Sequence, residues 1–440
     1  MKPRNLIVAA VLLAALSGAV WWANKHPQSG TSGTTADKTV KLVNIPADQV
    51  QAIAIKKKDG SAIDLKRVNG TWKMVAPDSF GADQDAVSSI LSSLAPLSAD
   101  SVIADTSAEA AQYGLTNPSL SVSLSRKDGK TDRIIFGDDA PAGSLVYAQH
   151  ESDPKIYALA SSVKTSFDKT ENDLRDKKLL TFNSDKLTSL ELNNGKSSVT
   201  LGKNNQGDWQ ITKPAPFRAD SFQVDELVRK LQDSRMDLAN GGDDQKKNDG
   251  LFADGQLVSL VKVTDASGTE TLQVRKNKDS FYAKSSVVPG VYKLAGDLGT
   301  ALAKNPEDLR NHKLFDFGFN DLTKLEYRNG AANTVYQKSG QDWKSDGKTM
   351  DSGSIQAVVD QLRDLSATAF PTSGFTSPAI DITVTSNGGK RVEKVAFAKV
   401  ADGYVGKREG EPALYSVPAK SIDDLVKAFG SVKPEPAKKK

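Results

Sequence analysis

Three tryptophans, Trp72, Trp209 and Trp343, stand 137 and 134 residues apart, and each precedes the same helical pattern. The apolar positions recur at i, i+3, i+4 and i+7: Val87, Ile90, Leu91 and Leu94, then Val224, Leu227, Val228 and Leu231, then Ile355, Val358, Val359 and Leu362. That spacing lays one apolar stripe along an α-helix. A period of this length means that the chain reuses one unit, so several cores are expected rather than a single large one. An aspartate stands four residues ahead of each first apolar position, Asp83, Asp220 and Asp351. A carboxylate there accepts from the free amides of the first turn, so all three read as helix caps.

Strand patterns flank these helices. Val50 to Ile55, Leu187 to Leu192 and Leu322 to Tyr327 lie upstream of the tryptophans, and Asp59-Gly60 and Asn69-Gly70 signal hairpins in the first copy. After each helix comes Gly114-Leu115, Gly250-Leu251 or Gly374-Phe375, then an apolar strand, Ser119 to Ser125, Leu257 to Val263 or Ile380 to Val384. The pairs Tyr147 and Tyr157, Tyr282 and Tyr292, Tyr404 and Tyr415 mark two strands joined by a turn and read as sheet packing. A second helix closes each unit, around Ser162 to Leu174, Leu298 to Leu309 and Ile422 to Phe429. Arg175 and Arg310 follow the first two, where a cation suits the helix dipole; a salt bridge between units is the sharper alternative.

The predicted fold class is α+β: three tandem copies of a mixed unit, each an antiparallel meander sheet with two helices, after one N-terminal transmembrane helix. The expected organisation is a membrane anchor or uncleaved signal at 1–25, a Gly/Ser/Thr linker at 26–42 and repeat units at 43–180, 181–315 and 316–432, with a disordered basic tail at 433–440. No flexible linker separates the units, so a stiff array is expected.

Leu6 to Ala23 is a charge-free run of 18 residues, which reaches about 27 Å as a helix and just spans a bilayer. Lys2 and Arg4 precede it, which keeps the N-terminus cytoplasmic, and Trp21 and Trp22 suit an interfacial belt. The predicted location is the bacterial inner membrane, single-pass, with the body periplasmic or extracytoplasmic. A cleaved signal peptide is the rival, because Ser17 and Ala19 are small residues at suitable spacing. The two ends carry about +6 of formal charge against a net +4, so the body sits near −2. A body of that charge lacks the positive field that nucleic-acid binding needs.

The chemistry search returns little. The chain has no cysteine, which excludes disulfides, thiolate metal sites and cysteine nucleophiles. His26, His150 and His312 are dispersed and show no convincing partner, so no metal site and no cofactor are expected. Gly129-Lys130, Gly195-Lys196 and Gly347-Lys348 lack the glycine five positions earlier that a phosphate loop needs, and read as turns. Asp243 to Gly250 reads as a solvated loop rather than a calcium site.

The strand Val50 to Ile55, Trp72 before a capped helix, Tyr113-Gly114-Leu115 with Pro118, and the run Asp173 to Leu180 resemble the bacterial family of domain of unknown function 4340. The resemblance covers about Val43 to Val432 and is best in the first copy. It implies a membrane-anchored envelope protein, with some members encoded beside gliding-type ABC exporter subunits, and it carries over no catalytic residue. The expected function is a noncatalytic accessory or scaffold subunit of an ABC-type transporter or other envelope complex. A cell-wall glycan-binding module is one alternative, a hydrolase with a site between units another.

Overall fold

The computed structural model describes residues 40–94, 97–141, 143–205, 207–239, 244–303, 306–319 and 321–436. The anchor run Leu6 to Ala23, His26, the linker up to Thr39 and Lys438 to Lys440 lie outside the described residues. Among the described residues no helix is long and apolar enough to cross a membrane. The chain divides into two compact units between Asp176 and Lys177.

The first unit holds a nine-stranded antiparallel sheet. From edge to edge its strands are Phe80–Gly81, Thr71–Ala76, Ala62–Val68, Val50–Lys57, Leu120–Arg126, Thr131–Asp139, Leu145–His150, Ile156–Ala160 and Ser101–Ala104. The first four run outward from the centre in hairpins. The helix Gln84–Leu94 then leads the chain back, and Leu120–Arg126 pairs with Val50–Lys57, with Ile53 opposite Leu124. The second unit holds two eight-stranded sheets with the same order. One runs Phe217–Arg218, Trp209–Lys213, Ser198–Lys203, Ser189–Asn193, Gln256–Asp265, Gly268–Asn277, Ser280–Ser285 and Val291–Lys293. The other runs Lys348–Met350, Asp342–Ser345, Ala332–Ser339, Leu322–Asn329, Pro378–Ser386, Arg391–Val400, Gly403–Arg408 and Leu414–Pro418. Their central pairs set Leu190 opposite Val263 and Leu325 opposite Val384. The architecture is thus mixed α and β, and one strand order recurs.

One face of each sheet is covered by the helix that follows its fourth strand. Helices Gln84–Leu94, Ser221–Gln232 and Ser352–Asp364 bury the whole expected stripe, from Val87 to Leu94, Val224 to Leu231 and Ile355 to Leu362. Asp83 accepts from the amides of Asp85 and Ala86 at 3.0 and 3.1 Å, Asp220 from Gln223 at 3.1 Å and Asp351 from Ser354 at 2.9 Å. These bonds satisfy donors that the first turn leaves without intrahelical partners.

Three helical segments depart from the sequence expectations. The closing helix of the first sheet is two pieces, Ser161–Phe167 and Glu171–Leu174, because Thr170 and Asp173 form a reciprocal capping box that starts the second afresh. In the second sheet it is Leu298–Leu302 followed by the 3₁₀ turn Pro306–Leu309, while Ala419–Gly430 is continuous. The expected loop after Asp243 is helical instead over Gln245–Ala253, capped by Asp244, with Gly250 inside the helix. That helix buries Asn248 and clips onto the edge strand Val291–Lys293 through Gln245 to the Val291 amide at 2.9 Å and Asn248 to the Val291 carbonyl at 3.2 Å. With no apolar stripe to show, periodicity alone does not reveal it.

The unit borders also shift. Leu179 and Leu180 pack in the second core and Leu314 and Phe315 in the third, so each border falls before 180 and 315. At the tail, Lys433 to Glu435 bond to the edge strand Lys348–Met350 and its neighbour Asp351, which gives otherwise unpaired edge groups a partner. Replacing Asp220 or Asp351 with alanine is expected to lower stability by about 1 kcal/mol each, read as a lower urea midpoint with unchanged slope. An unchanged midpoint would remove the capping role.

Candidate functional site

The residues singled out by sequence lie in packing positions. Trp72, Trp209 and Trp343 are only 4, 4 and 8 % exposed, and the Trp209 indole N–H donates to Asp225 at 2.7 Å. Tyr157, Tyr282, Tyr292, Tyr404 and Tyr415 are buried, while half-buried Tyr147 meets Tyr113 edge-on at 4.6 Å. Hydroxyls anchor several of them: Tyr157 donates to Asp153 at 2.5 Å, Tyr292 to the Pro289 carbonyl at 3.0 Å and Tyr404 to Asp423 at 3.2 Å. Arg175 and Arg310 are buried, and both stack on aromatic rings. Arg175 lies 3.6 Å from the Phe80 ring centre, and Arg310 sits between Phe217 at 4.0 Å and Phe370 at 3.6 Å while bonding Glu307 at 2.9 Å. A guanidinium between ring faces keeps its charge in the attraction of two quadrupoles, which outweighs any helix-dipole contribution at this burial.

The densest polar cluster in the second unit surrounds Arg218 on the short strand Phe217–Arg218. Its guanidinium meets Asp316 at 3.0 Å, Glu411 at 3.1 Å, the Tyr415 hydroxyl at 3.3 Å and the Lys313 carbonyl. Glu411 also takes Arg408 at 2.7 Å and the Tyr415 hydroxyl at 2.8 Å, and buried Glu393 accepts from Arg408 at 3.0 Å. The cluster ties residues of the second sheet to the third through side chains with little exposure. Burial opposes the Arg218 charge, yet the neighbouring Tyr415, Glu411 and Asp316 win and raise its pKa. Burial pushes the Tyr415 hydroxyl upward as well. A cleft of about 270 Å³ borders the cluster. Carboxylates held opposite guanidiniums suit a clamp better than proton transfer.

A second cluster lies in the first unit, and here the expectation for the histidines fails. Asp132 is held by Arg126 at 2.8 Å and lies 3.4 Å from His150 Nε2, a near contact that falls short of a hydrogen bond. On the other side Nδ1 of His150 meets the Ser152 hydroxyl at 2.8 Å and the Ser152 amide at 3.3 Å. The amide can only donate, so Nδ1 accepts and Nε2 carries the proton. These groups border a cleft of about 360 Å³ with Lys41 to Ile45. Asp132 and His150 sit on the adjacent strands Thr131–Asp139 and Leu145–His150, where His150 stands opposite Ile134. Their nearness is a product of register and is invisible in linear spacing. His312 has partners as well: its Nδ1 is 3.0 Å from the Ala367 carbonyl and its ring packs on Phe370 at 4.6 Å. Among the described residues no three histidine or carboxylate side chains gather as metal ligands.

Two measurements test this account of the clusters. Arg408→Met removes one of the two guanidiniums that meet buried Glu393 and leaves Arg391 at 3.3 Å, which is expected to cost about 1–3 kcal/mol in urea unfolding, and Glu393→Leu added to it should recover part of the loss. A loss under 1 kcal/mol would contradict the clamp. Burial and the bond to Asp153 push the Tyr157 hydroxyl up to about 12 from 10.0. The folded chain thus keeps a proton that the unfolded chain gives up near pH 10, so stability is complete below pH 10 and falls between pH 10 and 12. Tyr157→Phe should make that fall shallower; an identical slope in both proteins would contradict it.

The sequence profile of the family described as Domain of unknown function (DUF4340) matches residues 72–209 and 209–381. The two matches begin at Trp72 and Trp209, in phase with the repeat, and each starts in the third strand of one sheet and runs into the next. No curated protein matches the chain, and no solved structure does. With matches spanning residues 72–381, the chain belongs to the DUF4340 family.

Proposed function

We propose that this chain is a noncatalytic, membrane-anchored extracytoplasmic scaffold, an accessory subunit of an ABC-type transporter or of another envelope complex. The observation that carries this reading is the charge-free run Leu6 to Ala23 behind Lys2 and Arg4, ending near Trp21 and Trp22. A run of that length and charge order inserts with its N-terminus inside and carries the following residues across. The body would then stand in the periplasm on a Ser/Gly/Thr tether, Gln28 to Thr39. The Arg218 cluster supports a holding role, since its carboxylates and guanidiniums neutralise one another and fix neighbouring sheets.

The glycan alternative looked to the three indoles, and their burial leaves no exposed ring face for a sugar. One observation favours a hydrolase instead: Asp132, His150 and Ser152 lie in sequence, with serine at the unprotonated ring nitrogen and carboxylate near the protonated one, the order of a nucleophile with its base but with the two ring nitrogens exchanged. Against it, the Ser152 amide shares the same nitrogen, as in a local turn that needs no substrate. A serine-reactive fluorophosphonate that labels the wild type and not Ser152→Ala would support the hydrolase; no labelling removes it.

The main reading is tested in native membranes. Protease added to intact spheroplasts should digest the body, and crosslinking with affinity purification should recover transporter or envelope subunits reproducibly. A body digested only after lysis, or no reproducible envelope partner, contradicts it.

A further inference from the structure

Strand register places the two polar clusters at one position of the repeat. Leu124 and Val384, each on a central strand pair, face Asp132 and Glu393 on the next strand. Two residues further on, Ile134 and Val395 face His150 and Arg408. Three residues after those come Asp153 and Glu411, which accept from the hydroxyls of Tyr157 and Tyr415 at 2.5 and 2.8 Å. The segments that lead into the two sheets align as well. The amides of Leu42 and Leu314 donate to the carbonyls of Leu97 and Leu365 at 2.8 and 3.0 Å, which sets Lys41 and Asn44 in the places of Lys313 and Asp316. The nearness of Asp132 and His150 is the counterpart of the Glu393 and Arg408 pair.

In the third sheet this position is filled by a neighbour. Arg218, on the edge strand of the second sheet, enters between Glu411, Asp316, the Tyr415 hydroxyl and the Lys313 carbonyl. In the first sheet the same place is a cleft of about 360 Å³, lined by Lys41, Asn44, Asp132, His150 and Asp153. Asp153 takes the Tyr157 hydroxyl and the Lys155 amide at 3.0 Å, and among the described residues it meets no cation at ion-pair distance. The bond from Tyr157 lowers the Asp153 pKa, so the carboxylate is ionised at neutral pH. The charge balance agrees. Before Arg218 enters, Asp316, Glu393 and Glu411 against Arg391 and Arg408 leave one negative charge; Asp132 and Asp153 against Arg126 also leave one. Lys41 and Lys313, at equivalent positions, add equally to both. The second sheet has Thr181 and Val288 where the third has Asp316 and Glu411, so the acidic site is not a property of every copy.

We propose that the cleft of the first sheet takes an arginine side chain of a partner protein, presented on an extended segment as Arg218 is presented by Phe217–Arg218. The guanidinium donates to Asp153 and to the Lys41 carbonyl, as Arg218 does to Glu411 and the Lys313 carbonyl. A planar fork with five donors suits a carboxylate beside a carbonyl, and neither a neutral nor an anionic group gains from the excess negative charge. A second copy joined head to tail is not this partner. Arg218 stands opposite Gln210, the residue after Trp209, and the residue opposite Lys344, after Trp343, is Thr349. The free edge of the third sheet therefore presents threonine, with no guanidinium at that place.

The test uses the full chain in lipid nanodiscs and a fluorescently labelled, end-blocked peptide of residues 214–221, Pro-Ala-Pro-Phe-Arg-Ala-Asp-Ser, read by anisotropy. The wild type should bind it saturably, at least tenfold more tightly than the same peptide with citrulline in place of arginine, which keeps the shape and loses the charge. Asp153→Asn, which keeps an acceptor for Tyr157, should weaken binding at least tenfold; if it does not fold, the citrulline comparison in the wild type decides alone. No saturable binding, equal binding of the citrulline peptide, or equal binding by folded Asp153→Asn would overturn the proposal. Self-association of the chain that Asp153→Asn abolishes would put a second copy in the cleft and overturn it too. The readout does not depend on which side of a membrane the body occupies, so its failure is distinct from failure of the scaffold reading.

Discussion

The structure depends on the antiparallel pairing of each sheet's first strand with the strand that follows its covering helix. That pair puts Ile53 against Leu124, Leu190 against Val263 and Leu325 against Val384, with all six side chains almost completely buried. A slip of one residue would turn every one of these side chains to the opposite face, so the buried face fixes the register. The helix between the two strands then has its place set for it. Its stripe covers the centre of the sheet, and the capping aspartate marks where the chain leaves the fourth strand. Hairpins add the remaining strands outward on both sides, except Ser101–Ala104, which closes the first sheet against Ile156–Ala160 from earlier in the chain.

Much of this was legible in the sequence because it repeats. Three helical stripes at one period, each behind an aspartate, are a signal that no single copy would give with the same force, and the strands before and after them alternate clearly. What stayed hidden has specific causes. The helix Gln245–Ala253 buries an asparagine in place of an apolar stripe, so it reads as a polar loop. The break between Phe167 and Glu171 comes from a capping box formed by Thr170 with Asp173, a local bond that a helical period overrides on paper. Arg175 and Arg310 look like cations at helix ends until the sheet edge brings Phe80 and Phe217 beneath them. The candidate sites were least legible of all. His150 meets Asp132 only through strand register, and Arg218 meets Glu411 across 193 residues of chain.

The three sheets share an order yet differ in how completely they fill their cores. The first and third place aromatic rings where the closing helix meets the sheet, Phe136 with Phe167 in one and Tyr327 stacked on Phe429 at 4.0 Å in the other. The middle sheet has neither pair. Core positions tolerate such changes only at a cost in packing, and the less completely filled repeat keeps a cleft, lined by Leu192, Leu227, Ser259 and Leu302. The two features are separate in the second unit: the charged cluster around Arg218 holds its sheets together, and the cleft beside Ser259 is an opening in one of them.

The most direct check on the central claim is native-state hydrogen exchange resolved to single amides. If the central strand pair carries each sheet, the slowest amides in all three will lie in Val50–Lys57 and Leu120–Arg126, in Ser189–Asn193 and Gln256–Asp265, and in Leu322–Asn329 and Pro378–Ser386. Faster exchange in those strands than at the edges Phe80–Gly81, Phe217–Arg218 and Lys348–Met350 would contradict it.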